Sequence, residues 1–243
     1  MTLSTHLAPG AGADLPDNDP CRIPSTDWWA TVGAPHPLLA YFLAAADGRF
    51  PPVDGKVTVL PPLAGGLECS VAFTGHAVVA TALSERAAHA REPDGFGGSL
   101  APDFLRHLAG PKGWIDVVDV TLTARGTGGP PRLASVAGAD DHPRVRHARD
   151  VRTHVEVHGD ERGLITLADG LAGRRELSVE LHDVQDGGRG HGRSLIADAL
   201  SLVPEGEPVF AAVSPGNARS LRAFLACGFT PIGSEVLLRP ERK

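Results

Sequence analysis

The sequence predicts an α+β fold: a mixed sheet flanked by helices in the C-terminal half, joined to an N-terminal α+β companion domain. Three observations carry this. Short apolar or alternating runs recur through both halves, each bounded by glycine, proline or aspartate. A glycine-rich turn, Gly187-Gly188-Arg189-Gly190-His191-Gly192-Arg193, separates a strand-like run from an amphipathic helix. A second strand, turn and helix follow, and a closing apolar run ends the chain.

In order along the chain, residues 1–24 are rich in Gly, Pro and Asp and read as a disordered leader. They hold no basic start and no apolar core, so they do not read as a secretory signal. Residues 36–46 form a helix stopped by Asp47-Gly48. Three strands are expected at 56–60, 67–73 and 77–83, with Thr74-Gly75-His76 as a hairpin turn. A short helix at 102–108 and a strand at 114–124 complete a companion domain spanning 25–125, in which Trp28-Trp29 read as packing residues. Gly126-Thr127-Gly128-Gly129-Pro130-Pro131 breaks helix and strand alike, and the segment 126–138 reads as the linker. From 139 to 243 the chain offers a helix at 142–150, begun by Asp140-Asp141, and strands at 154–157 and 164–167 around a turn. A longer strand at 175–182 leads into the glycine-rich turn.

Composition excludes several classes. With 42% hydrophobic and 21% charged residues over 243 positions, the chain reads as globular rather than disordered. No stretch is long and apolar enough to span a bilayer. A formal charge of −6 argues against nucleic-acid binding, and a mildly acidic surface suits an amine. Cys21, Cys69 and Cys227 lack metal spacing and pair in no even framework, so reduced thiols in the cytoplasm are expected. His154 and His158 flank an alternating Val-Glu-Val and are no helical metal pair; no metal is expected. Oligomeric state is left open.

The glycine-rich turn reads as an anion cradle. Glycines let backbone amides approach a phosphate without side-chain clash, and the first-turn N–H groups of the next helix point at the same place. The helix dipole adds about half a positive charge there, and Arg189 and Arg193 add full ones. A dinucleotide fingerprint from Gly188 requires Gly or Ala at Arg193, and a P-loop requires Gly-Lys-Ser/Thr; neither is present. Downstream, Pro208 to Val213 suits a buried strand, Ser214-Pro215-Gly216 a turn, and Asn217 a helix N-cap. Leu221, Phe224 and Leu225 then share one helical face before Gly228 ends the helix and 232–238 closes the sheet.

This order of strand, glycine-rich loop, helix, strand, Asn-led helix, Gly-Phe and strand resembles the GNAT N-acetyltransferase superfamily over the last third to half of the chain. The resemblance implies that acetyl-CoA is the cosubstrate, its pyrophosphate held by Gly188, Arg189, Gly190, His191, Gly192 and Arg193, with Asn217 contacting pantetheine. Two positions depart from the family pattern: Gly187 stands for Arg or Gln, and Phe224 for the tyrosine that protonates departing thiolate. A phenyl ring carries no such proton, although a thiol with pKa about 8.5 leaves tolerably near neutral pH. The resemblance also implies that a backbone N–H at Leu181 or His182 polarises the thioester carbonyl, a device worth about 10²-fold.

For the base, Glu180 and His182 share one strand face by period two, opposite Val179 and Leu181. Glu176 is a third candidate. The same residues also fit a solvent-facing strand edge, and Asn217 fits plain capping. Arg219 and Arg222 fit solvated helix positions. The function expected is direct transfer of an acetyl or acyl group from acetyl-CoA to a small-molecule or peptide amine. The competing expectation is a catalytically silent acyl-CoA-binding or regulatory module, which Phe224 favours.

Overall fold

The computed structural model describes residues 35–182 and 190–242. The leader, Trp28-Trp29, Cys21 and the cradle residues Gly187, Gly188 and Arg189 lie outside them. Helix α1 (Leu38–Ala46) precedes strands β1 (Val57–Leu60), β2 (Glu68–Phe73) and β3 (His76–Ala80), then short α2 (Glu85–His89), α3 (Pro102–Ala109), β4 (Trp114–Ile115) and β5 (Asp119–Arg125). The second half runs β6 (Ala134–Ser135), α4 (Pro143–Val151), β7 (Thr153–Asp160), β8 (Gly163–Asp169), β9 (Arg175–Leu181), α5 (His191–Ala199), β10 (Pro208–Val213), α6 (Ala218–Ala226) and β11 (Thr230–Arg239).

The eleven strands among the described residues join one mixed sheet in the order β1-β3-β2-β11-β5-β10-β9-β8-β7-β6, with β4 on the end of β11. Its two faces follow from period-two alternation. Leu122, Leu177, Val209, Ala211 and Val213 face α5 and α6, packing on Leu195, Ile196 and Phe224. On the same side Val236 and Leu238 pack on Phe104 and Leu108 of α3. The opposite side carries α1, where Phe42 meets Phe210 edge-on at 5.8 Å, and α4, where Val145 packs on Val157 and Leu164.

The boundary expected at 126–138 does not divide this sheet. Strand β5, from the first half, lies between β10 and β11 of the second, paired with both over most of its length. The glycine-rich segment after it is itself bonded down: Gly126 N–H donates to Glu207 O, and Thr127 N–H to Leu200 O, both at 2.9 Å. A Cβ on Gly126 would sit 2.3 Å from the Pro204 carbonyl, so this glycine serves close backbone approach rather than flexibility.

Three local expectations also need correction. The run 114–124 is two strands, β4 and β5, rather than one. Helix α4 is capped by the ring of His142, which accepts from Arg144 N–H at 3.2 Å; Asp140 and Asp141 instead pair with Arg149 and Arg146. Leu225 of α6 is exposed, while Phe224 is buried. Cys69 is buried and Cys227 half-buried, and both are free thiols. Among the described residues no helix is long and apolar enough to cross a membrane.

Candidate functional site

Strands β9 and β10 run parallel but pair at one residue only, Glu176 with Phe210. Each is fully paired on its other edge, β9 with β8 from Arg175 to Leu181 and β10 with β5 from Pro208 to Val213. Both strands therefore continue past their single contact without bonding one another, and a gap opens between their C-terminal halves. Alternation fixes which amides face it. A Cβ on Gly163 of β8 would lie 2.2 Å from the Glu180 carbonyl, and His182 N–H donates to Arg162 O at 3.1 Å, so residues 180 and 182 turn their backbone toward β8. The N–H groups of Val179 and Leu181 point the other way, into the gap.

The gap opens toward the ends from which the chain passes to α5 and α6. Helix α5 starts at Gly190, whose φ of +87° is the left-handed conformation that glycine adopts without strain. The first-turn amides of an α-helix have no acceptor within the helix, and the dipole is positive there. The start of α5 lies beside the gap: a Cβ on Gly192 would be 3.9 Å from both Leu181 Cδ1 and Ala223 Cβ. Cys227 Sγ donates to Arg193 O at 3.2 Å and ties α6 to α5. At the head of α6, Asn217 Oδ1 accepts from Ser220 N–H at 3.1 Å, a side-chain N-cap.

The residues singled out as bases are engaged elsewhere. Glu180 accepts from Arg144 Nε at 3.0 Å. His182 is exposed, with Nε2 at 3.2 Å from Asp160 O, and its own amide is spent on Arg162. Glu176 is buried in an ion network. Phe224, 2% exposed, stands edge-on to Phe229 at 4.9 Å, inside the core.

Across the sheet from α5 and α6, a cavity of about 1750 Å³ lies between α1 and α4. Its floor carries Ser178, Phe210, Ala212, Asp119 and Glu235, its walls Leu39, Leu43, His147 and Arg152. Beneath it is Arg174, with no exposed side-chain area. The Arg174 guanidinium forks onto both oxygens of Glu235 at 2.6 Å and onto Glu176 Oε2 at 3.0 and 3.1 Å, and stacks over Phe42 with 4.4 Å to the ring centre. Thr121 Oγ1 donates to Glu235 at 2.6 Å, and Arg152 holds the other Glu176 oxygen at 2.5 Å. Burial works against the Glu176 carboxylate, but the Arg152 and Arg174 cations hold its pKa below the usual range.

Asp119 is the group that sequence reasoning missed. It opens β5, directly across from Glu235 on β11, and faces the cavity. Burial pushes its pKa up to about 7, with repulsion from Glu235, Asp116 and Glu176 added and partial relief from Arg174. The available signal was an acidic residue at the buried-face position of an alternating strand, where Asp is disfavoured.

No protein-family model and no curated protein matches the chain. Among solved structures, a protein assigned to the GNAT acetyltransferase family from Novosphingobium aromaticivorans matches at 15% identity, covering 54% of this chain and 69% of that one, with a TM-score of 0.37. A conserved protein of unknown function from Staphylococcus epidermidis matches at 10% identity, covering 57% of this chain and 66% of that one, with a TM-score of 0.34. At these scores neither neighbour adds weight, and the functional reading rests on the chain's own residues and geometry.

Proposed function

We propose that this chain is an acetyl-CoA-dependent N-acyltransferase that moves an acetyl or acyl group directly to an amine. The observation that carries the reading is the gap between β9 and β10, flanked by the starts of α5 and α6, at the place where the sequence resembles the GNAT cradle. A thioester carbonyl entering the gap would meet the N–H groups of Val179 and Leu181, donors fixed by the β8–β9 ladder before any substrate arrives. Gly190, His191, Gly192 and Arg193 supply first-turn amides and one exposed cation for a pyrophosphate, with Gly188 and Arg189 preceding them in the chain. Leu181 keeps the amide role that the resemblance implies for it, whereas the amide of His182 is committed to Arg162. Asn217 caps α6 and can still meet pantetheine with its second lone pair.

Phe224 supports a second reading, an acyl-CoA-binding module without turnover, because no hydroxyl stands where the family's tyrosine does. One experiment separates the two. Melting is followed with acetyl-CoA, CoA and NADH, and thiol release is then measured against a panel of amines. Acetyl-CoA at about 100 times its Kd adds about 2.7 kcal/mol, a clear rise in Tm. A shift with thiol release supports the enzyme; a shift without release supports the silent module; no shift with either CoA species rejects both.

A further inference from the structure

We infer that Asp119 is the proton acceptor for the incoming amine, which reaches it through the cavity between α1 and α4. This rests on the acyltransfer reading above and names the base that the reading lacks, since Glu180 and His182 are engaged elsewhere.

The placement comes from strand registers. Counting from the Glu176–Phe210 pair, Val179 is level with Val213 on β10, and Val213 pairs with Val120 on β5. Asp119 is therefore level with the gap amides of Val179 and Leu181, two strands away, or roughly 10 Å across the sheet at about 4.8 Å per strand plus the opening of the gap. Its side chain projects on the opposite face from α5 and α6, where the cavity lies. An acyl donor held at the starts of α5 and α6 and an amine entering past α1 thus meet at the gap from opposite sides. Across that span the carboxyl of Asp119 would act on the amine through a bridging water.

Charge distinguishes Asp119 from the other cavity groups. Every arginine lining the cavity has a carboxylate partner. Asp119 has no ion pair among the described residues. The groups that face it are Asp116 from the preceding turn, Glu235 from β11, Glu176 from β9 and Arg174 from the turn before β9. Arg174 is shared between the two glutamates, so the net field at Asp119 is negative. A carboxyl there holds a proton more tightly than an ordinary aspartate and attracts a cation when it is ionised.

The proton balance is direct. Ionised Asp119 takes one proton from the ammonium. The free amine adds to the thioester carbonyl, the C–N bond forms and the C–S bond breaks. The nitrogen then loses its second proton to the departing thiolate. The products are an N-acyl amine, free CoA thiol and protonated Asp119, which releases its proton to solvent.

The test is the variant Asp119→Asn, compared with Glu180→Gln and His182→Gln in acetyl transfer across pH 5.5–9. In Asp119→Asn, kcat is expected to fall about 10²-fold or more and the rising limb near pH 7 to disappear, while Kd for acetyl-CoA stays within twofold. The other two variants are expected to keep kcat within fivefold, and Asp119→Glu to recover part of it. Independently of turnover, NMR of protein labelled with 13C at the aspartate carboxyls should show one carboxyl titrating near pH 7 in the wild type and none in Asp119→Asn. A variant that turns over within threefold of wild type with the same pH limb overturns the assignment and leaves acyl transfer standing. So does the absence of the titrating carboxyl. A wild-type chain that acylates no amine fails the parent reading and this assignment with it.

Discussion

Replacing Arg174 by methionine removes the one cation among the described residues that reaches both buried glutamates. Methionine keeps the bulk beneath Phe42 and Phe210, so the change is electrostatic rather than a cavity. Glu176 retains Arg152 at 2.5 Å, whereas Glu235 retains only the hydroxyl of Thr121 at 2.6 Å. The penalty falls on Glu235, which exchanges two charge-assisted bonds of 2.6 Å for none. Removing one partner of a buried pair costs about 3–5 kcal/mol. The surviving Thr121 bond places this site near the lower end, at about 3 kcal/mol. Urea unfolding at pH 7, followed by circular dichroism, measures it as a drop in midpoint at constant slope. The decisive control adds Glu235→Gln to the variant: with the stranded charge gone, about 2 kcal/mol should return. A loss under 1 kcal/mol for the single variant, or a double variant no more stable than the single, refutes the view that this network is held by mutual neutralisation.

Three further outcomes follow from the site. For Asp119, a pKa raised from 3.8 to about 7 means that the native state holds the proton more tightly than the unfolded chain. Its stabilising contribution is complete below pH about 4 and is lost as pH rises to about 7. Asp119→Asn should remove that slope and leave the variant about 1–2 kcal/mol more stable than wild type at pH 8, after discounting for solvent at this half-buried group; an unchanged slope in paired urea titrations at pH 4, 6 and 8 contradicts it. Asn217→Ala should cost about 1 kcal/mol through the lost cap, and a simultaneous fall in acetyl-CoA affinity by calorimetry would separate a ligand contact from capping alone. Phe224→Tyr places a hydroxyl in the core against Phe229 and should cost about 1–3 kcal/mol without raising turnover; a tenfold gain in kcat would show that the ring edge reaches the leaving group after all.

What the sequence made legible is what is local. Asn217 and Ser220 are three residues apart, so the cap and the helix after it are written in one short string. The strands from β7 to β10 are likewise set by alternation and by residues adjacent in the chain. The segment at 126–138 is harder to read because glycine has two uses. At Gly126 the missing Cβ admits the Pro204 carbonyl, and only the fold discloses that neighbour, 78 residues away in the numbering. The partners of the candidate bases are hidden in the sequence for a related reason. Glu180 and His182 lie next to the inferred reaction centre along β9, but Arg144 and Asp160 arrive from other segments and occupy them.

Asp119 illustrates the limit most clearly. Its surroundings are assembled from β11, the turn before β9 and its own lead-in, and the Thr121–Glu235 bond that anchors them spans 114 residues. No window of the sequence contains that juxtaposition, because it exists only once β5 is inserted between β10 and β11. The same insertion places the first half's carboxylate level with the second half's gap amides. The proposed chemistry then depends on the insertion of β5 between β10 and β11. Mutations that weaken β5 pairing should therefore lower turnover before they lower acetyl-CoA binding if the proposed cradle at α5 and α6 and the proposed proton acceptor on β5 are correct; equal loss of both in paired kinetic and calorimetric measurements contradicts the division.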